Sequence, residues 1–306
     1  GWNENVWDNP TLPSKEELNE AALGRPAVLK RVCRHALLAN KKAMELAGIS
    51  RDTPDPSGGV IERTKTGEPT GLLKDRAQDM LHPVMPSYSL PYLKQLARKA
   101  VQSCYSYGLT GSHTEDLSYY GGFENTYEAI RHVVEEEFPY RAHLLIHHEV
   151  VDKWKAAGFQ PMEEHSFLSF GAMKIFTDGS LGGRTALLSQ PYGDDPTTHG
   201  VAIQSKEHLI ELVKKARSYG MPVGIHAIGD LAFEWALDAI EAYPHKGPGR
   251  DRIIHAQILR KELVDRAKKI EVVLDIQPRF LMSDFPWALD RLGDFRLEYL
   301  YAWKAL

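Results

Sequence analysis

The sequence predicts an α/β protein organised around a parallel sheet. Three features lead there: six short apolar segments spread over residues 109–277, amphipathic helical segments between them, and a Pro-, Gly- and turn-rich opening that lies outside this alternation. Repeated strand–helix units imply parallel pairing, because each strand is entered in the same direction after a helical crossover. An open doubly wound sheet and a closed barrel both satisfy the pattern, and periodicity does not separate them.

The first eighty or so residues hold a strand candidate at 27–32 and a helix at about 36–47. The run Thr53-Pro-Asp-Pro-Ser-Gly-Gly59 then interrupts regular structure, since its prolines and glycines suit neither a helix interior nor a central strand. Residues 1–90 are read as an accessory insertion segment. From Pro91 a helix is expected, with Leu93, Leu96, Ala97, Ala100, Val101 and Cys104 at three- and four-residue spacing and Gly108 as its stop. Strands follow at 109–113, 140–147, 170–176, 222–226, 252–255 and 271–277. Between them, helices at 206–219 and 232–243 present Leu209, Leu212, Val213 and Ala216, and Phe233, Ala236, Leu237 and Ile240, on single faces.

Composition excludes several classes. A hydrophobic fraction of 43% supplies a sizeable core, which excludes disorder. The net charge of −4, with Lys and Arg scattered, leaves no footprint for nucleic acid. The acidic run 135–137 reads as a solvated helix end. Cys33 and Cys104 form no Cys-x-x-Cys pair, so neither a disulfide framework nor a thiolate zinc cage is expected. No run of about 18 apolar residues and no leader pattern is found, so a cytoplasmic protein without a membrane partner is expected. The oligomeric state stays open, a homo-oligomer included.

Three consecutive strands carry a candidate metal ligand in or at the end: Lys174, His226 and His255. Parallel strands bring such positions to one rim, where βα barrels assemble their sites. Two imidazoles from neighbouring strands can converge on one zinc-like ion. Taken singly, either histidine is as readily a strand-end residue satisfied by a carbonyl or carboxylate. Lysine is rarely buried unless paired or chemically special, and Lys174 lies among Phe170, Ala172, Ile175 and Phe176; pairing with Asp178 is its plainer reading. His113, Asp178 and Gln277 are strand-end polar groups that can face substrate or simply be hydrogen-bonded. His147 and His148, adjacent on a strand, should point to opposite faces and are read as structural.

The run Lys174-Ile-Phe-Thr-Asp-Gly-Ser-Leu-Gly-Gly-Arg-Thr-Ala186, then His226-Ala-Ile-Gly-Asp230, then His255-Ala-Gln257, resembles the amidohydrolase superfamily and its YtcJ-like branch, which includes N-substituted formamide deformylases. Trp2-Asn-Glu-Asn5 and Gly108-Leu-Thr110 are similar to further marks of that branch. The resemblance implies a distorted (β/α)8 metal-dependent-hydrolase TIM barrel. It implies Lys174 as the fourth-strand ligand, carboxylated if it bridges two metals, and His226 and His255 as those of strands five and six. One or two divalent ions, zinc first, would activate a water against an amide-type C–N bond of a small-molecule substrate. His35, His113, Asp178 and Gln277 are the expected substrate-binding residues.

The family's His-x-His pair on strand one is absent, and its eighth-strand aspartate, the general base, is expected beyond Leu306. Residues 91–306 are therefore expected to form a partial barrel of strands two to seven, an inactive fragment by itself. Cys33-Arg34-His35 stands where Asp-Gly-His is usual, and Ile254 where a glutamate is expected. The alternatives are a non-catalytic barrel scaffold with a binding or regulatory role, and a hydrolase of lactones or phosphoesters.

Overall fold

A computed structural model describes residues 1–306 apart from Asn5, Val6, Pro10, Gly121, Pro286 and the side chain of Phe295. Asn5 of the Trp2–Asn5 motif therefore lies outside the described residues. Two sheets form. The smaller is antiparallel, ordered β1-β2-β4-β3, with β1 (Val28–Lys30), β2 (Ala36–Ala39), β3 (Gly59–Arg63) and β4 (Pro69–Asp75). The helix expected at 36–47 is thus half strand. Ala36–Ala39 is buried on both faces between its neighbours, and the helix Lys41–Leu46 starts only after Asn40, whose side chain accepts from Ala43 N at 2.9 Å. Such N-capping favours an extended cap residue, which ends the strand where the helix begins. The β3–β4 hairpin escaped the sequence reading because prolines and glycines crowd its flanks.

The larger sheet has six parallel strands: β5 (Gly111–Thr114), β6 (Arg141–His147), β7 (Leu168–Phe176), β8 (Val223–Ala227), β9 (Asp251–His255) and β10 (Val272–Asp275). Their spatial order β10-β9-β8-β7-β6-β5 follows the chain without a reversal. A doubly wound sheet reverses order at its switch point, so this order decides for a curled, half-barrel sheet. Helices such as Leu90–Ser106, Lys206–Ser218 and Asp230–Ala242 cover its outer face. The main core lies there, where Leu144, Ile146, Phe170, Ile225 and Ile253 meet Leu209, Val213, Phe233 and Leu237. Burying a side chain of this size contributes about 1.5–3 kcal/mol.

One irregularity decides what faces inward. Between β6 and β7 the register moves from Leu144 opposite Phe170 to Ile146 opposite Met173, so β7 holds an extra residue at 171–172. Strict alternation would put Lys174 on the same face as the core residue Phe170. The bulge resets the parity, leaving Phe170, Met173 and Ile175 in the outer core and Lys174 on the inner face. Gly171 suits the bulge because a Cβ there would stand 2.2 Å from His143 Nε2.

The acidic run 135–137 is engaged rather than merely solvated. Glu135 accepts from Phe167 N at 2.9 Å, and Glu137 takes both Nε and Nη2 of Arg98 at 2.6 Å. Among the described residues no helix is long and apolar enough to cross a membrane.

Candidate functional site

The carboxyl ends of β5–β10 share one rim. Across it Lys174 pairs in register with His147 and Gly224, Phe176 with His226, and Ala227 with His255. Lys174, His226 and His255 all fall along this rim. The His226 and His255 rings lie 4.5 Å apart, and Lys174 Nζ stands 3.6 Å over the Phe176 ring, itself 5.1 Å from the His226 ring. Lys174 and His226 are 3% and 2% exposed, so water screens neither.

Burial sets the charge states. It pushes Lys174 down to about 8, with Glu115, Asp178 and Asp275 acting in the other direction. It pushes His255 down to about 3 and His226 well below the ordinary imidazole range, with Lys174 adding to both effects. Both rings are therefore neutral near pH 7, the form in which imidazole ligates a metal.

Hydrogen bonds decide which nitrogen of each ring is free. His226 Nε2 lies 2.9 Å from Gly179 O, a pure acceptor, so Nε2 carries the proton and Nδ1 the lone pair. His255 Nδ1 donates to Gln277 Oε1 at 2.7 Å, and Gln277 Nε2 donates to Asp275 O at 2.8 Å, which fixes the amide's orientation. His255 Nε2 is left with its lone pair. His255 and Ala256 also hold left-handed backbone, φ 85° and 46°, a strain that tends to gather at functional sites.

The other expected site residues divide. His35 joins the cluster: its Nδ1 lies 2.8 Å from Asp75 Oδ1 and its ring 5.3 Å from that of His226. Gln277 meets His255 directly. Asp178 is buried, and its oxygens accept from Leu187 N (2.9 Å), Ile228 N (3.1 Å) and Gly229 N (2.8 Å), with His226 Nε2 3.4 Å away. Burial raises its carboxyl to about 7 against the pull of those three amides. Its atoms face backbone rather than open space, and it forms no ion pair with Lys174 among the described residues.

His113 lies elsewhere: it pairs in register with His143, four residues before His147, about 13 Å down the strand. Its ring lies tilted 4.4 Å from that of His143, which in turn bonds Ser169. The adjacent His147 and His148 do not point to opposite faces. The strand ends at His147, the chain turns, and their rings stack at 4.6 Å.

Sequence reasoning missed Glu115. It follows β5 directly, accepts from Tyr119 Oη at 3.2 Å, and burial raises its carboxyl to about 7 while Lys174 pulls it down. Its place one residue beyond a strand was the available signal.

Gly229 shows how tightly this rim is built. A Cβ there would stand 1.9 Å from Leu187 O. Gly229→Ala should therefore displace the loop that Asp178 anchors and destabilise the fold by about 1–3 kcal/mol, read from the denaturant midpoint.

The donors suit a divalent metal in part. His226 and His255 offer two lone pairs, Lys174 a buried amine, and Asp75 Oδ2 is buried without a hydrogen-bond partner. Among the described residues no three His, Cys, Asp or Glu side chains gather into a metal cage.

Comparison with known proteins gives matching results. The sequence pattern described as "Amidohydrolase family" matches residues 1–306. The putative amidohydrolase YtcJ of Bacillus subtilis (strain 168) is 50% identical over 309 residues, covering 100% of this chain and 58% of that protein. An N-substituted formamide deformylase of Arthrobacter pascens is 30% identical, covering 75% of this chain and 43% of the relative. Among solved structures, an uncharacterized metal-dependent hydrolase from Pyrococcus horikoshii OT3 superposes with a TM-score of 0.75 at 31% identity, covering 100% of this chain and 59% of the other. The chain thus spans less than three-fifths of the length of these proteins.

Proposed function

Because the chain belongs to the amidohydrolase family, we propose that it supplies the central metal-binding strands of a hydrolase that cleaves a non-peptide amide C–N bond in a small molecule. The observation that carries this reading is the pair of neutral imidazoles 4.5 Å apart, each with one nitrogen anchored and the other free. Lys174, His226 and His255 would hold the metal, zinc first, as a single ion or, with a carboxylated Lys174, as a pair. Such an ion supplies Lewis acidity and lowers the pKa of a water at neutral pH.

The chain's own residues prepare that site. Gln277 fixes the tautomer and rotation of His255, and Gly179 O does the same for His226, as hydrogen-bonded partners of metal-binding histidines do. Asp178 locks the loop that carries Gly179. Phe176 shields the Lys174 amine from water. Glu115 and His35 flank the cluster and would meet polar groups of a substrate. On this reading β5–β10 are strands two to seven of an eight-stranded barrel, residues 1–90 are an insertion, and a general-base aspartate comes from the eighth strand. The stretch by itself is then inactive.

A panel of amides, lactones and phosphoesters assayed with the full-length protein tests the reading. Amides should be hydrolysed fastest, and chelation should abolish the activity. Preferred turnover of a phosphoester or a lactone would refute the amide assignment.

A further inference from the structure

Beside the histidine cluster, Arg34 lies exposed in a left-handed conformation (φ 65°), and so does the backbone of Tyr120 (φ 60°). A side chain with a Cβ rarely takes this conformation without compensation, and two such residues meet here, with Arg34 Nη1 donating to Tyr120 Oη at 3.4 Å. Gln78 Nε2 holds the Arg34 carbonyl at 3.0 Å.

The position adjoins the site. The next residue, His35, stands with its ring 5.3 Å from His226. Tyr120 packs edge-on against Tyr88 at 5.9 Å and lies 6.0 Å from Tyr119, whose hydroxyl bonds the rim carboxyl Glu115. The guanidinium charge acts on both Glu115 and Tyr120. Yet no carboxylate lies within ion-pair distance of Arg34 among the described residues. An exposed guanidinium without an acid partner, held by a tyrosine hydroxyl, is a ready receptor for a planar anion.

We propose that Arg34 anchors a carboxylate on the non-reacting part of the substrate, with the Tyr88 and Tyr120 rings flanking that part, so that the preferred substrates are amides bearing a carboxylate. The inference rests on the amide-hydrolase reading for the word amide, but its test reads binding and not turnover.

Hippurate and its neutral counterpart hippuramide are titrated calorimetrically into the metal-loaded full-length protein. Hippurate should bind at least about tenfold more tightly. Arg34→Asn, which tolerates left-handed backbone, should erase that difference, and Arg34→Lys should retain part of it. Thermal unfolding of each variant checks that it remains folded. Equal affinities in the wild type, no binding of hippurate, or a difference that survives in folded Arg34→Asn would each overturn the proposal. An Arg34-dependent preference without cleavage of either probe or of any amide in the panel would instead keep the carboxylate-anchoring role of Arg34 and refute the amide-hydrolase reading, and with it the word amide in the proposal.

Discussion

Asp178→Ala should destabilise the fold by about 4 kcal/mol, because three buried backbone amides lose their common acceptor and each costs roughly 1–3 kcal/mol when left unpaired. Those amides belong to Leu187, Ile228 and Gly229, so one carboxylate ties the loop after β7 to the end of β8. Asp178→Asn keeps the shape but turns one acceptor into a donor facing a donor, and should fall between the wild type and Asp178→Ala. Equilibrium denaturation measures both. A loss under about 1 kcal/mol for the alanine variant would mean that the loop is held by its apolar contacts and not by this carboxylate.

The second large effect concerns the imidazoles. His226→Ala or His255→Ala removes a donor whose tautomer is already fixed, and metal affinity should fall on the order of a thousandfold or more. Gln277→Leu leaves His255 in place but frees its Nδ1–H, and should cost only roughly 10–100-fold. Fold stability should stay close to wild type for Gln277→Leu, since Gln277 is only partly buried. Titration of the apo-protein with zinc in a competing chelator distinguishes the three variants. Equal losses for Gln277→Leu and His255→Ala would contradict the assignment of His255 as ligand and Gln277 as its support.

The strand–helix alternation of the second half could be read from the sequence almost throughout, because its strands are short apolar runs bounded by Gly, Pro and polar residues. Lys174, His226 and His255 stood out for a related reason: each is a polar residue directly behind apolar ones in its strand, and the three fall on consecutive strands. What failed was local context. Ala36–Ala39 carries an apolar run compatible with helix or strand, and only pairing with β1 and β4 decides between them. The parity of Lys174 depends on a bulge at 171–172 that no pattern announces. His113 looked like a rim residue because strand ends were placed without the neighbouring register, which sets it against His143 instead. Glu115 escaped because a carboxylate beside another acidic residue reads as solvent-facing until the fold brings Lys174 to it.

Arg34 shows a further limit. Its residue type is ordinary, and what singles it out is a backbone angle and the absence of an acidic partner, neither of which a sequence displays.

Cobalt(II) titration of the full-length protein, followed by its visible absorption, tests the central account most directly. Stoichiometric binding with a spectrum that reports imidazole ligation, lost when His226 and His255 are both replaced by alanine, is the predicted result. A protein that takes up no cobalt, or one whose spectrum is the same without those two histidines, would show that the β8 and β9 rim is not where the metal sits.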